Sequence, residues 1–125
     1  MIEFQDAEGV IRSWLLDSGL VGDRAYFSLP EGTRTLPCVL MTRVGGVPRW
    51  DLDQARIQFD VFGSTKHEAA SVAYRLAAML ENLKPARNSA LTGAEVETLF
   101  PQGAPADPYR RYVLDATIGV RTANA

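Results

Sequence analysis

Two hydrophobic rhythms run through the chain, and the clearest change from one to the other falls at Gly63. Ahead of it, in ARIQFDVF, Ile57, Phe59 and Val61 recur at every second position, with Arg56, Gln58 and Asp60 between them. A period of two sends successive side chains to opposite faces, so this segment predicts an antiparallel strand with one core face and one wet face. Beyond Gly63, Thr65 and Glu68 have the T-x-x-E spacing of a capping box. Ala69, Val72, Ala73, Leu76 and Leu80 then follow at helical intervals. The spacing predicts a helix from Lys66 to Asn82, and Pro85 discourages its continuation.

The same reading extends in both directions. Asp6 is placed to cap an opening helix from Asp6 to Ser18 with an apolar stripe of Val10, Ile11, Trp14 and Leu15, and Gly19 is placed to end it in a left-handed conformation. RAYFSL predicts a short strand stopped by Pro30, EGTRT a polar connector, and PCVLMTRV a second strand. Gly45, Gly46 and Pro48 break that run, so VGGVPRWDLDQA reads as the tip of a long hairpin spanning Val39 to Val61. After the second helix, AEVETLF is a strand and PQGAPADP a loop. In YRRYVLDATIGVRT, Tyr112, Leu114, Ala116, Ile118 and Val120 alternate with Arg111, Asp115, Thr117 and Arg121. The predicted order is α-β-β-β-α-β-β. An α+β fold, with an antiparallel or mixed β-sheet of about four to five strands and both helices packed on one face, accommodates it.

Size and composition narrow the functional classes. A chain of 125 residues, 46% hydrophobic, fits one domain over residues 1–125. Thirteen basic against fifteen acidic residues leave a formal charge of −2, which is no overall magnet for nucleic acid. The start, MIEFQDAEG, lacks the basic and apolar run of a signal peptide, and no stretch reaches the roughly twenty apolar residues of a membrane span. The chain therefore reads as soluble, unexported and without a membrane partner.

Candidate chemistry is sparse. His67 is the single histidine, in the first turn of the second predicted helix, and reads as a solvated surface side chain. Cys38, the one cysteine, sits among apolar residues at a strand start and reads as a small buried hydrophobe. Asp51, Asp53 and Asp60 lack the length, glycine and terminal glutamate of a calcium loop, so no metal site is expected. VGGVP lacks the lysine and helix start of a phosphate loop, and no cofactor is expected. Tyr109, Arg110, Arg111 and Tyr112 have the letters of a single-strand stacking surface, but strand pairing with arginines lying over aromatics explains the same letters and is the preferred reading. Trp14 lies on a core stripe. Trp50 stands off any periodic run, between Arg49 and Asp51; either the loop folds its ring back over the sheet, or the ring anchors an interface.

The stretch DQARIQFDVFGSTKHEAASVAYRLAAML, an R-I-Q-F-D-V-F-G strand leading through glycine and Ser64–Thr65 into an alanine-rich helix, resembles the tail-terminator (tail-completion) proteins of long-tailed bacteriophages and related minor tail proteins. The opening helix and the long final strand are similar more weakly. The resemblance implies a small α+β protomer that assembles in the host cytoplasm as a homo-oligomeric ring, commonly a hexamer, at the head-proximal end of the virion's tail. Such a ring contacts the tail-tube protein and ends its polymerisation, presents the tail to the head–tail connector protein, and lets genomic DNA pass unread. The family has no catalytic residues to carry over, so the expectation is a protein that is not an enzyme. In a ring each protomer needs a projection on one side and a receiving surface on the other. The hairpin tip is the candidate projection, with Arg43, Arg49, Trp50, Asp51, Asp53 and Arg56 as its interface residues. Rival readings are another phage neck component, a small RNA-binding α+β domain, or a small enzyme using Cys38 or His67.

Overall fold

The computed structural model describes residues 2–29, 35–85, 89–102 and 110–124. Along the chain run β1 (Ile2–Glu3), α1 (Ala7–Ser18), β2 (Ala25–Tyr26), β3 (Cys38–Gly45), β4 (Leu52–Gly63), α2 (Lys66–Glu81), β5 (Leu91–Gln102), β6 (Arg110–Arg121) and β7 (Ala123–Asn124). Five strands form one sheet in the order β2-β3-β4-β6-β5, with β2 parallel to β3 and the other neighbours antiparallel. The expected α+β class, mixed sheet and α-β-β-β-α-β-β order are those of the structure. The terminal strands β1 and β7 add a small antiparallel pair that period alone does not reveal.

Local chemistry sets the element ends. Gly19 terminates α1 in the left-handed region at φ 75°, as its position suggests, while Asp6 stands at the N-cap without a side-chain bond. At α2 the Glu68 amide donates to Thr65 Oγ1 at 3.0 Å, one half of a capping box. The reciprocal half is shifted by one residue, because the Glu68 carboxylate accepts from the Ser64 amide at 2.9 Å. RAYFSL yields only the two-residue β2, whose parallel partner is β3. The return strand β4 begins at Leu52, three residues ahead of Ala55. β5 runs through Pro101, which an edge strand tolerates because one side of its backbone needs no ladder donor. Glu31 to Arg34 of the predicted connector and Gly103 to Tyr109 lie outside the described residues.

Both helices cover the same sheet face, α2 against β4, β5 and β6 and α1 against β2, β3 and β4. The core beneath them is the one the alternation names: Ala55, Ile57, Phe59 and Val61 on β4, and Leu114, Ala116, Ile118 and Val120 on β6, all buried. From α1 come Ala7, Ile11 and Leu15, and from α2 Ala69, Val72, Ala73, Leu76 and Leu80. Trp14 packs at the margin of this core.

The face turned away from the helices departs from expectation. It is not uniformly wet: Asp60 is 5% exposed, and Cys38, Phe62 and Val113 are buried beside it. Cross-strand pairing explains the grouping. Leu40, Asp60, Val113 and Phe100 form one row across four strands, and Cys38, Phe62, Arg111 and Gln102 form the next. The Arg111 guanidinium lies 5.9 Å from the centroid of the Phe62 ring. Toward the hairpin tip the rows become polar, through Thr42, Gln58, Asp115 and Thr98 and then Arg56, Thr117 and Glu95. Alternation along β4 assigns residues to a face, but the neighbours on β3, β5 and β6 decide which of them lose water.

Candidate assembly surface

The hairpin joining β3 to β4 has a rigid base and an exposed tip. At the base, Arg43 and Asp53 form a bidentate pair, Nη1 to Oδ2 and Nη2 to Oδ1, both at 2.7 Å. Parallel forks of this kind are stronger and more directional than single contacts. Arg43 also donates from Nε to the Gly45 carbonyl at 3.1 Å and from Nη2 to the Gly46 carbonyl at 3.2 Å, so one guanidinium closes the turn. Its hydrogen bond to Asp53 holds the guanidinium above its ordinary pKa despite partial burial. The Arg43 amide, on the outer edge of β3, donates to Glu8 Oε2 of α1 at 3.1 Å.

The turn itself depends on Gly46. Its φ is +86°, and a Cβ there would stand 2.2 Å from the Gln54 carbonyl oxygen. The register shift between Arg43 and Gly45 bends the strand just before it. Beyond the turn, Pro48 bridges Asp53, and the Arg49 amide donates to the Leu52 carbonyl at 3.2 Å. Thr122 Oγ1 donates to the Trp50 carbonyl at 3.2 Å, tying the backbone beneath the indole to the chain just past the adjacent end of β6.

On this framework Trp50 is 73% exposed and Val47 62%. The indole is therefore not folded back over the sheet, and the tip presents a large apolar area to water. Arg49 and Asp51, flanking it, are exposed and have no side-chain partner among the described residues. Arg56 reaches Glu97 only at 4.0 Å, with both side chains substantially exposed, a contact of little energy. A shallow cleft of about 490 Å³ runs between the tip and the sheet, lined in part by Val47, Arg49, Gln54, Arg56 and Thr117. Of the six residues proposed from the sequence, Arg43 and Asp53 are engaged with each other, whereas Arg49, Trp50, Asp51 and Arg56 face solvent.

The remaining candidates are scattered. His67 is exposed at the start of α2, and Cys38 is buried on the sheet face opposite the helices. Asp51, Asp53 and Asp60 point to solvent, to Arg43 and to Gln58 respectively, and no group of three His, Cys, Asp or Glu among the described residues is placed to hold a metal ion. Arg111 and Tyr112 lie on opposite faces: Arg111 stacks on Phe62, and Tyr112 meets Tyr74 with ring centroids 6.3 Å apart. Tyr109 lies outside the described residues. What sequence reasoning missed is the buried polar group around Asp60, whose pKa is raised by burial against the opposing effects of Gln58 and Arg111, with Asp115 adding to the rise. Close by, Asp115 accepts from Thr98 Oγ1 at 3.0 Å. Gln58 and Asp60 are neighbours along β4, but only the cross-strand register brings Arg111, Asp115 and Thr98 to them.

No protein-family model matches the chain, and no curated protein matches it in sequence. Its fold is similar to that of a chain in the structure described as "Virion of native gene transfer agent (GTA) particle", with a TM-score of 0.60 and 16% identity. The likeness covers 95% of this chain and 98% of that one, so the two share an architecture nearly from end to end.

Proposed function

We propose that this protein is a structural component of a phage-like virion, and within it a tail terminator: a ring-forming homo-oligomer, hexameric by the family resemblance, at the head-proximal end of the tail. The observation that carries the reading is the likeness, over 95% of the chain, to a chain of a virion particle. It joins a sequence resemblance carried by the strand and helix from Asp53 to Leu80. The exposed Trp50 on a stapled hairpin is the kind of projection that a head-to-tail ring contact requires. In this reading the protein is not an enzyme and takes no cofactor. Its work is shape and contact: one ring surface meets the tail-tube protein and stops its growth, the other meets the head–tail connector protein, and DNA passes through without being read.

Electron microscopy of the purified chain mixed with tail tubes tests this directly. The expected image shows density at one end of each tube. Decoration along the tube, or none at all, overturns the terminator assignment. Binding to DNA-filled heads in place of tubes moves the protein to another position in the neck.

A further inference from the structure

A projecting aromatic needs a receiving pocket, and a surface that shares no residue with the tip offers one. Where α1 ends and α2 runs past it, Ser18, Gly19, Leu20, Arg75, Ala78 and Met79 line a groove of about 420 Å³. Its lining is apolar along Leu20, Ala78 and Met79, and Met adapts readily to a flat ring. The left-handed Gly19 leaves the rim open, because a Cβ built there would meet nothing within 4 Å. Arg75 stands exposed at one side of the groove, and its side chain has no partner among the described residues.

The tip carries Arg49, Trp50 and Asp51 in consecutive positions. We infer that the α1–α2 groove is the docking site for the Arg49–Trp50–Asp51 tip of a second copy of this chain, with the indole in the groove and Asp51 against Arg75. The occupant is argued from charge as well as shape. The tip presents an aromatic followed by an unpaired anion, and the groove presents an apolar floor beside an unpaired cation, Arg75. An indole beside Arg75 adds a cation–π contact. Tip and groove lie on different parts of the molecule, so the contact is heterologous and propagates from copy to copy, closing into a ring or continuing as a filament according to the rotation. The side-chain mode also fits the edges of the sheet. β5 is blunted against strand addition by two register shifts, by Pro101 and by Glu81, whose Oε1 accepts from the outward Val96 amide at 2.8 Å.

This contact rests on the ring reading only in its expectation of self-association, and a charge-reversal cycle separates the two. Association of the full chain is followed by sedimentation, free and in the presence of tail tubes, for wild type, Asp51→Arg, Arg75→Asp and the double variant. Each single reversal is expected to weaken association about tenfold or more, and the double variant to recover most of it, a rescue that mere structural damage would not produce. Trp50→Ala is expected to weaken association about thirtyfold. Circular dichroism checks that all four variants are folded. Single reversals that associate like wild type, or a double variant weaker than either single one, overturn the groove assignment and leave the tube-end reading standing. A wild type that associates through this cycle but never appears at tube ends supports the contact and overturns the tail-terminator reading. A wild type that stays monomeric both free and with tubes overturns the contact.

Discussion

The base and the tip of the β3–β4 hairpin carry the same chemical pair, an arginine and an aspartate, within a few residues of each other, yet the structure treats them oppositely. Arg43 and Asp53 close on each other in a fork, with the Asp53 side chain only 4% exposed. Arg49 and Asp51 flank an exposed indole with no partner among the described residues. Burial accounts for the difference. A carboxylate withdrawn from water requires its cation, whereas charges that stay solvated gain little from pairing. The lesson is that the residues least available for an interface are what would make the proposed one geometrically definite, since the base holds the tip in one place.

Breaking the base is expected to have the largest effect. Arg43→Ala leaves Asp53 nearly buried without its cation and removes the donors to Gly45 and Gly46, so stability is expected to fall by about 3 kcal/mol, at the low end of the range for a broken buried pair because Arg43 is partly exposed. Urea unfolding measures it; a loss below 1 kcal/mol would reduce the staple to a surface contact. Next comes the turn. Gly46→Ala forces a side chain into the left-handed region and against the Gln54 carbonyl, at an expected cost of about 2 kcal/mol, read by the same melt.

Asp60→Asn sharpens the contrast from the opposite direction, because here a buried carboxylate lacks the fork that Asp53 has. Its pKa is raised, so the folded state holds the Asp60 proton more tightly than the unfolded chain does. The charged form therefore costs stability at neutral pH, and the cost disappears as acid protonates the group in both states. The asparagine variant is expected to be more stable than wild type at neutral pH, with the gap closing on acidification. Paired melts across pH check the sign; a variant less stable than wild type at neutral pH would show that the Gln58 and Arg111 contacts outweigh burial.

The smallest effect on stability is expected at the tip. Trp50→Ala removes an indole that touches little in the monomer, so unfolding free energy should change by no more than about 0.5 kcal/mol while the proposed self-association weakens. A Trp50→Ala chain that melts early would place the indole among the groups that hold the fold together, and the comparison between base and tip would fail.

Much of the fold is legible in the sequence. The period of two in β4 and β6 named the residues under the helices, Thr65 and Glu68 located the start of α2, and the hairpin spanned Val39 to Val61, which are paired partners in the sheet. The tip was recognised because Trp50 fell outside every periodic run. The division of labour among the six candidate residues was not legible, because a string of letters contains three arginines and two aspartates around a turn without saying which of them meet.

Local preferences therefore determined the elements, their order and the core-facing half of the sheet, since these depend on spacing along one strand or helix and on side chains a few residues apart. The tertiary structure decided the parallel pairing of β2, the burial of Asp60 and Val113 on the opposite face, and the partnering of Arg43 with Asp53 while Arg49 and Asp51 stayed open. Each of those outcomes depends on what arrives from another strand, and the low dielectric that gives a charge its partner or leaves it in water exists only once those strands have come together.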